Sequence, residues 1–588
     1  MAASAAHAIA KITPTIAAPG SGARLITSHA NINSAAVSIG PSGTPSINPP
    51  RMRPVYAILW PQMRSSFHPV DWVIVAVYLL VMAGVGVYFS RRQTNLQRYL
   101  LASQRMGWLP VGLSLMAALN SGMDYLMQPS STIRYGLVLT AGIFSWFALY
   151  PWVAKVAFPF FRRLNYFTVY EYLEARFDVR VRSLAAVIFI LWRLGWMATA
   201  MYVPSLAINA ASGGAVDLNT MTIIVGVLVT SYTMLGGIEA VIWNDVLQFC
   251  IMFGGLAATV GIVWFSVPGG LTEIFASANA AGKLDVFLPL IDPAATGLPA
   301  QIVSFFEQPM TLVTLLIALI VGRMAQYTSD QVMVQRLQTT RSLPEARQAF
   351  IVNAAGDALW MLGLSFVGFA LFAYFQRQPL PPEFETDKLL PYFMSLAFPA
   401  GAVGLVIAAI MAASLSSIDS AINSCASVAV IDLYGRMWKG RQIVPGRQDA
   451  GATDVRVSRI ATVIFGMLGT VLACNVARIG TLLEINAKVV NAFTGPLFGI
   501  FLLAMFSARV RSAVALVAGI AGALTAYGVA YHSSIGFMWP STFGLAATLA
   551  VGGGLALVAP ESEAAAGRAL TWWSVMARPQ RGAAESAS

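Results

Sequence analysis

From Asp71 onward the chain is a succession of apolar runs, most of them roughly 20 residues long, the length at which a helix crosses the hydrocarbon of a bilayer. Such a segment must pair its backbone polar groups internally, so repeated runs of this kind leave little choice of secondary structure. Thirteen can be delimited, at 72–90, 108–128, 136–160, 183–210, 219–235, 240–267, 309–328, 349–376, 401–431, 457–476, 482–506, 511–531 and 537–559. The chain is 57% hydrophobic and 11% charged, with a mean hydropathy of +0.68; a soluble domain is about 25% charged. Too few charges remain to cover a water-facing surface. The fold class is an all-α polytopic membrane protein.

The net charge of +11 would suit nucleic acid in a soluble protein. Here the arginines gather in alternate connections, after runs one, three, seven, nine and eleven: RRQTNLQR, FRRLNYFTVYEYLEARFDVRVR, VQRLQTTRSLPEAR, the stretch from Arg436 to Arg459, and SARVR. The other connections are poor in basic residues. That alternation predicts a cytoplasmic location for the odd connections, with the N-terminus outside and the C-terminus inside the cell membrane. Residues 1–67 contain no Asp or Glu and have no helical period, and read as a disordered or mis-annotated extension rather than as a targeting segment. The membrane domain spans 68–560, followed by a short polar cytoplasmic tail, 561–588. Cys250, Cys425 and Cys474 lie in apolar stretches without a C-x-x-C pair and are expected to be packing residues. No HExxH or G-x-S-x-G motif points to an enzyme.

Ionisable residues at membrane depth usually serve function. Asp124, Arg193, Asp245, Arg323 and Asp419 stand out. Asp124 follows Asn120-Ser121-Gly122, an interruption that suggests an unwound helix whose free carbonyls can bind a cation, or a kink satisfied by its neighbours. In run nine, Ser416, Ser420, Asn423 and Ser427 fall on one helical stripe flanked by Asp419. Hydroxyls and a carboxylate are hard oxygen ligands, suited to a small hard cation. Close packing of small residues explains the serines as well, but not Asp419. Arg323 could bind a solute carboxylate or hydroxyls, or neutralise Asp124.

FRRLNYFTVYEYLEARFDVRVRS, GGIEAVIWNDVLQF, SDQVMVQRLQTTRSLPEAR, IAAIMAASLSSIDSAINSCASVAVIDLY and GPLFGIFLLAMFSARV, in this order, resemble the sodium/solute symporter family, which includes the sodium/galactose, sodium/proline and sodium/sialic-acid transporters. The resemblance covers about residues 70–530. It implies a leucine-transporter-type 5+5 inverted repeat within about 13 transmembrane helices, the repeats lying at about 108–267 and 309–506. It implies a first Na+ site from the carbonyls of Ala117, Asn120 and Ala413 with the hydroxyls of Ser416 and Ser417. A second is implied at Asp245, Ser416, Asp419 and Ser420, where the aspartate at 419 replaces the serine of the sialic-acid branch. Solute contacts are implied at Ser121, Asp124, Arg323, Gln326 and Trp196. Trp196 stands where the sialic-acid branch has its carboxylate-binding arginine, and Arg193 could substitute only if the helix shifted. The implied function is sodium-driven import of a small polar solute (a sugar, sugar acid or other carboxylate) by a protein working as a monomer, without nucleic-acid partners. The alternatives are a proton-coupled or uncoupled carrier of the same fold, or a membrane sensor domain.

Overall fold

The computed structural model describes residues 67–90, 101–308, 310–378, 380, 384, 386–438, 452–476, 482–558 and 570–578. The expectations for residues 1–66, for RRQTNLQR, and for most of the 436–459 connection and the tail lie outside the described residues.

Ten helices are long and apolar enough to cross a membrane, and three shorter apolar helices, Trp108–Leu119, Leu218–Met234 and Phe493–Phe506, accompany them among the described residues. Every expected run falls on helix; run two is interrupted within its limits, and a second break lies just past the end of run seven. In chain order the principal elements are α1 (Pro69–Ser90), α2 (Trp108–Leu119), α3 (Gly122–Tyr135), a composite helix over 136–164 (α4), α5 (Val169–Arg176), α6 (Val179–Ala211), α7 (Leu218–Met234) and α8 (Gly237–Ser266). After two short helices come α9 (Leu312–Ser329), α10 (Gln331–Gln338), α11 (Leu343–Arg377), α12 (Ala402–Val428), α13 (Ala452–Ala473), α14 (Leu482–Phe506), α15 (Ser512–His532), α16 (Pro540–Val558) and α17 (Trp572–Ala577). The α7–α8 junction is fixed by Gly237, whose φ of +60° is one that L side chains rarely adopt.

α12 is the axis of the fold. Of its apolar stretch 89% is buried inside the protein, against 28% for α1 and for α16. It packs on α1, α2, α3, α6, α7, α8 and α13. Asp71 ties α1 to its N-terminus, one carboxylate oxygen accepting from the backbone N–H groups of Gly401 (2.9 Å) and Gly404 (2.6 Å).

Two helices are broken. α2 ends at Leu119, Asn120 and Ser121 are extended, and α3 restarts at Gly122. The second break, which the sequence reading placed at a simple helix end, lies at Asp330 between α9 and α10. The start of α2 meets the end of α10, with Met106 N–H donating to Thr339 O at 3.0 Å. The two broken helices therefore run in opposite directions, as an inverted repeat requires.

The connections sort into two ends. Arg162 donates to Thr340 O at 2.7 Å, Arg163 to Val575 O at 3.1 Å, and Trp572 to Val156 O at 3.2 Å, so the connections after runs three and seven and helix α17 share one face. At the other, Lys283 donates to Arg134 O at 3.0 Å and Arg377 pairs with Glu273. One arginine counted with the connections belongs elsewhere: Arg336 is fully buried in α10. The cysteines also differ from expectation, since only Cys425 is buried and Cys250 is exposed.

Candidate ion and solute site

A helix leaves its last carbonyls without intrahelical donors. At the end of α2, Asn120 returns both its backbone N–H and its side-chain amide to Met116 O, each at 3.1 Å. The carbonyls that follow turn towards α12. Ser416 Oγ lies 2.8 Å from Ala117 O and 2.9 Å from Ala413 O. Ser417 Oγ donates to Asn120 O at 3.0 Å, with Ala118 O at 3.4 Å. The five expected oxygens fall in two neighbouring sets, Ala117 O and Ala413 O on Ser416 and Asn120 O on Ser417; Ala118 was not among the expected residues. Ser416 and Ser417 are buried, and neutral hard oxygens in this number suit Na+. Among the described residues no group of three or more His, Cys, Asp or Glu is placed to hold a metal, so a cation here rests on carbonyls and hydroxyls.

The approach of α3 to α12 depends on Gly122. A Cβ there would stand 2.3 Å from Ser414 Oγ and 2.5 Å from Ile410 O. The restart of α3 is a capping box: Ser121 Oγ accepts from Met123 N–H (3.2 Å), and Asp124 Oδ2 accepts from Ser121 N–H (2.7 Å).

Next to the break lies a cavity of about 260 Å³, lined by Asn120, Asp124, Trp196, Arg323, Gln326, Asp357 and Trp360 among others. Asp124, Trp196, Arg323 and Gln326 are therefore assembled as the sequence implied. Ser121 is not on this wall: its hydroxyl is turned to the helix cap and it is fully buried. Arg193 is absent from it too, because its guanidinium pairs with Asp330 at the second break and stacks on Trp192. Arg323 neither faces a free carboxylate nor neutralises Asp124. It pairs with Asp357 at 2.8 Å, donates to Ser145 Oγ at 2.6 Å, and lies 4.0 Å from the ring centre of Trp146. Trp146 Nε1 donates to the same Asp357 oxygen at 2.7 Å. Asp357, an acid in the middle of run eight, is a signal the sequence carried and the reading missed.

The second expected cation position contains an arginine. Arg336 Nη2 is 3.0 Å from Asp245 Oδ2 and also reaches Ser420 Oγ, while its Nε donates to Ser114 Oγ at 2.8 Å. Ser114 Oγ in turn donates to Asp245 at 2.6 Å. Asp419 accepts from Tyr232 OH at 3.2 Å and stands 3.1 Å from Ser420 Oγ. One guanidinium thus pairs with Asp245 and reaches Asp419 only through Ser420, in a buried cluster where Asp245 Oδ1 has no partner among the described residues. The resemblance implied an open sodium site here; the structure supplies part of the positive charge from the chain. The one sequence clue was the Asp330-Gln331 cap, which makes 331–338 a half-helix rather than a connection.

The model of the family described as "Sodium:solute symporter family" matches residues 99–522. This chain belongs to that family. It is 32% identical over 499 residues to the sodium/sialic acid symporter of Aliivibrio fischeri, covering 83% of this chain and 93% of that one. It is 30% identical over 482 residues to the human sodium-coupled monocarboxylate transporter 1, covering 78% and 73%. A solved structure of a Na+-coupled sialic acid symporter, in a substrate-bound outward-open state described as revealing a novel Na+ site, superposes with a TM-score of 0.74 at 29% identity, over 85% of this chain and 100% of that one. The symporter fold is therefore the leucine-transporter type, and this sodium:solute symporter is a membrane transporter coupled to Na+, not an enzyme.

Proposed function

We propose that the chain imports a small polar organic solute by alternating access, with Na+ bound by Ala117, Asn120, Ala413, Ser416 and Ser417. The observation that carries this reading is the meeting of two α12 hydroxyls with carbonyls released by the α2–α3 break, beside a cavity that Asn120 also lines. An ion that draws those oxygens together orders the break, and the ordered break shapes the cavity wall. Each ligand then favours the state the other favours, a reciprocal coupling of typically about 1–3 kcal/mol. Asp124, Trp196, Arg323 and Gln326 form the solute wall, Arg323 chiefly through its pairing with Asp357; Ser121 acts as the cap of α3.

Asp245, Asp419 and Ser420 form a second cation position in which Arg336 supplies one charge. A second reading, in which Asp419 takes a proton in place of a second Na+, is favoured by that same arginine, since it leaves one carboxylate to be balanced. The symporter works as a monomer in the cell (inner) membrane, N-terminus outside and C-terminus cytoplasmic. The clustering of the arginine-rich connections at one end supports that orientation. The repeats span about 108–267 and 309–506, each opening on a broken helix.

The test is the thermal stability of the purified protein in Na+, K+ and choline salts across a pH series. Saturable stabilisation by Na+ alone is expected. Stabilisation that follows pH and ignores the cation would replace the sodium reading with the proton one.

A further inference from the structure

Among the described residues, Asp124 is the one charge on the cavity wall without an ion-pair partner. Two carboxylates, Asp124 and Asp357, and one guanidinium, Arg323, line the space. Arg323 is committed to Asp357, Ser145 and the face of Trp146. Among the described residues no cation pairs with Asp124, whose hydrogen-bond partner is the N–H of Ser121. In a transporter of this fold the N-terminus of the broken half-helix would ordinarily attract an anionic solute group. Here that terminus is closed by the chain's own carboxylate, because Asp124 completes the capping box of α3. Both features that could receive a carboxylate are therefore satisfied within the protein, and the Asp124 carboxyl is left without a cation among the described residues.

We propose that the solute bears a protonated amine that pairs with Asp124, and is not a simple anion. This rests on the reading of the cavity as the solute site. Coulomb attraction in a water-poor site favours a cation beside an unpaired carboxylate and penalises a second anion. The remaining wall suits the rest of such a molecule. Trp196 and Trp360 line the cavity with large rings, and their indole N–H groups are buried without an acceptor among the described residues. The volume of about 260 Å³ corresponds to roughly nine waters, enough for an amino sugar or amino acid.

The experiment is a thermal-shift comparison in Na+ with two matched sets of probes: D-glucosamine, D-glucose and D-glucuronate; and alaninol, propylene glycol and lactate. The unmodified protein should be stabilised by an amine member and less, or not at all, by its neutral and anionic counterparts. Asp124→Asn, which keeps an acceptor for Ser121 N–H, should weaken binding of that amine about tenfold or more, the loss typical of a charge-assisted contact. Equal or better binding by a neutral or anionic member, amine binding unchanged in Asp124→Asn, or binding by neither amine would each overturn the proposal. Gly322→Phe separates this failure from failure of the cavity reading. Gly322 lines the cavity and a Cβ there meets no atom within 4 Å, so the ring fills the space without a backbone clash. A preferred anion lost in Gly322→Phe leaves the cavity as the solute site and refutes the amine; a ligand that survives Gly322→Phe refutes the cavity.

Discussion

Replacing Ser417 by alanine removes one of five oxygens around the proposed sodium position and leaves the four others in place. In the ion-free state its hydroxyl donates to Asn120 O at 3.0 Å, so the substitution weakens that state too, by about 1 kcal/mol. With the ion bound, the same oxygen faces a full positive charge, an interaction of about 1.5–3 kcal/mol. The difference, about 0.5–2 kcal/mol, is the loss that titration reads, and corresponds to roughly a 2–30-fold rise in half-saturating Na+. The assay is the Na+ dependence of thermal stability, which requires no knowledge of the solute. Ser414→Ala is the matched control. Ser414 lies one turn earlier on α12, is fully buried, and its hydroxyl has no partner among the described residues, so its loss should leave the Na+ titration unmoved. A Ser417→Ala titration that superposes on the unmodified protein, with Ser414→Ala also unchanged, would show that the ion does not bind where the released carbonyls meet α12.

Two further consequences concern stability. Asp357→Leu or Arg323→Met alone strands a buried charge and should destabilise by about 3–5 kcal/mol, whereas the double replacement Arg323→Met with Asp357→Leu should cost less than either single change; additive losses would mean the pair is not coupled as its 2.8 Å contact requires. Glu171, in the α5 connection, has its carboxyl pushed up to about 8 by burial, with Arg182 opposing. The folded state therefore binds that proton more tightly than the unfolded chain, and stability should fall as pH rises from about 5 to 8. Glu171→Gln keeps the side-chain acceptor for Thr168 N–H and should flatten that slope; an unaltered pH profile would rule Glu171 out as its source.

Much of the ion site was legible because its chemistry is local. The Asn120-Ser121-Gly122 interruption and the hydroxyls of run nine are short-range patterns, and a helix that stops must present its last carbonyls somewhere. Ser416 falls on the polar stripe that helical spacing gives, whereas Ser417 lies off it and was implied only by the family resemblance. The partners of the charges were not legible. Arg323 and Asp357 are 34 residues apart, Arg193 and Asp330 are 137 apart, and Arg336 and Asp245 are 91 apart. No local pattern announces such a pair. Arg336 illustrates the cost: set among the arginines of VQRLQTTR it reads as a topology signal, and only the break at Asp330 carries it into the interior.

The sequence by itself determined the class of the protein, because apolar runs of bilayer length can satisfy their backbone only as helices. It also determined where one helix must break and which hydroxyls could face that break. Tertiary structure alone decided which charges cancel. Pairing Arg323 with Asp357 and closing the α3 terminus with Asp124 turns a wall that read as suited to a sugar, sugar acid or other carboxylate into one whose Asp124 carboxyl has no ion-pair partner among the described residues. In a low-dielectric interior each charge is governed by its nearest opposite partner, and which partner is nearest is a property of the folded chain.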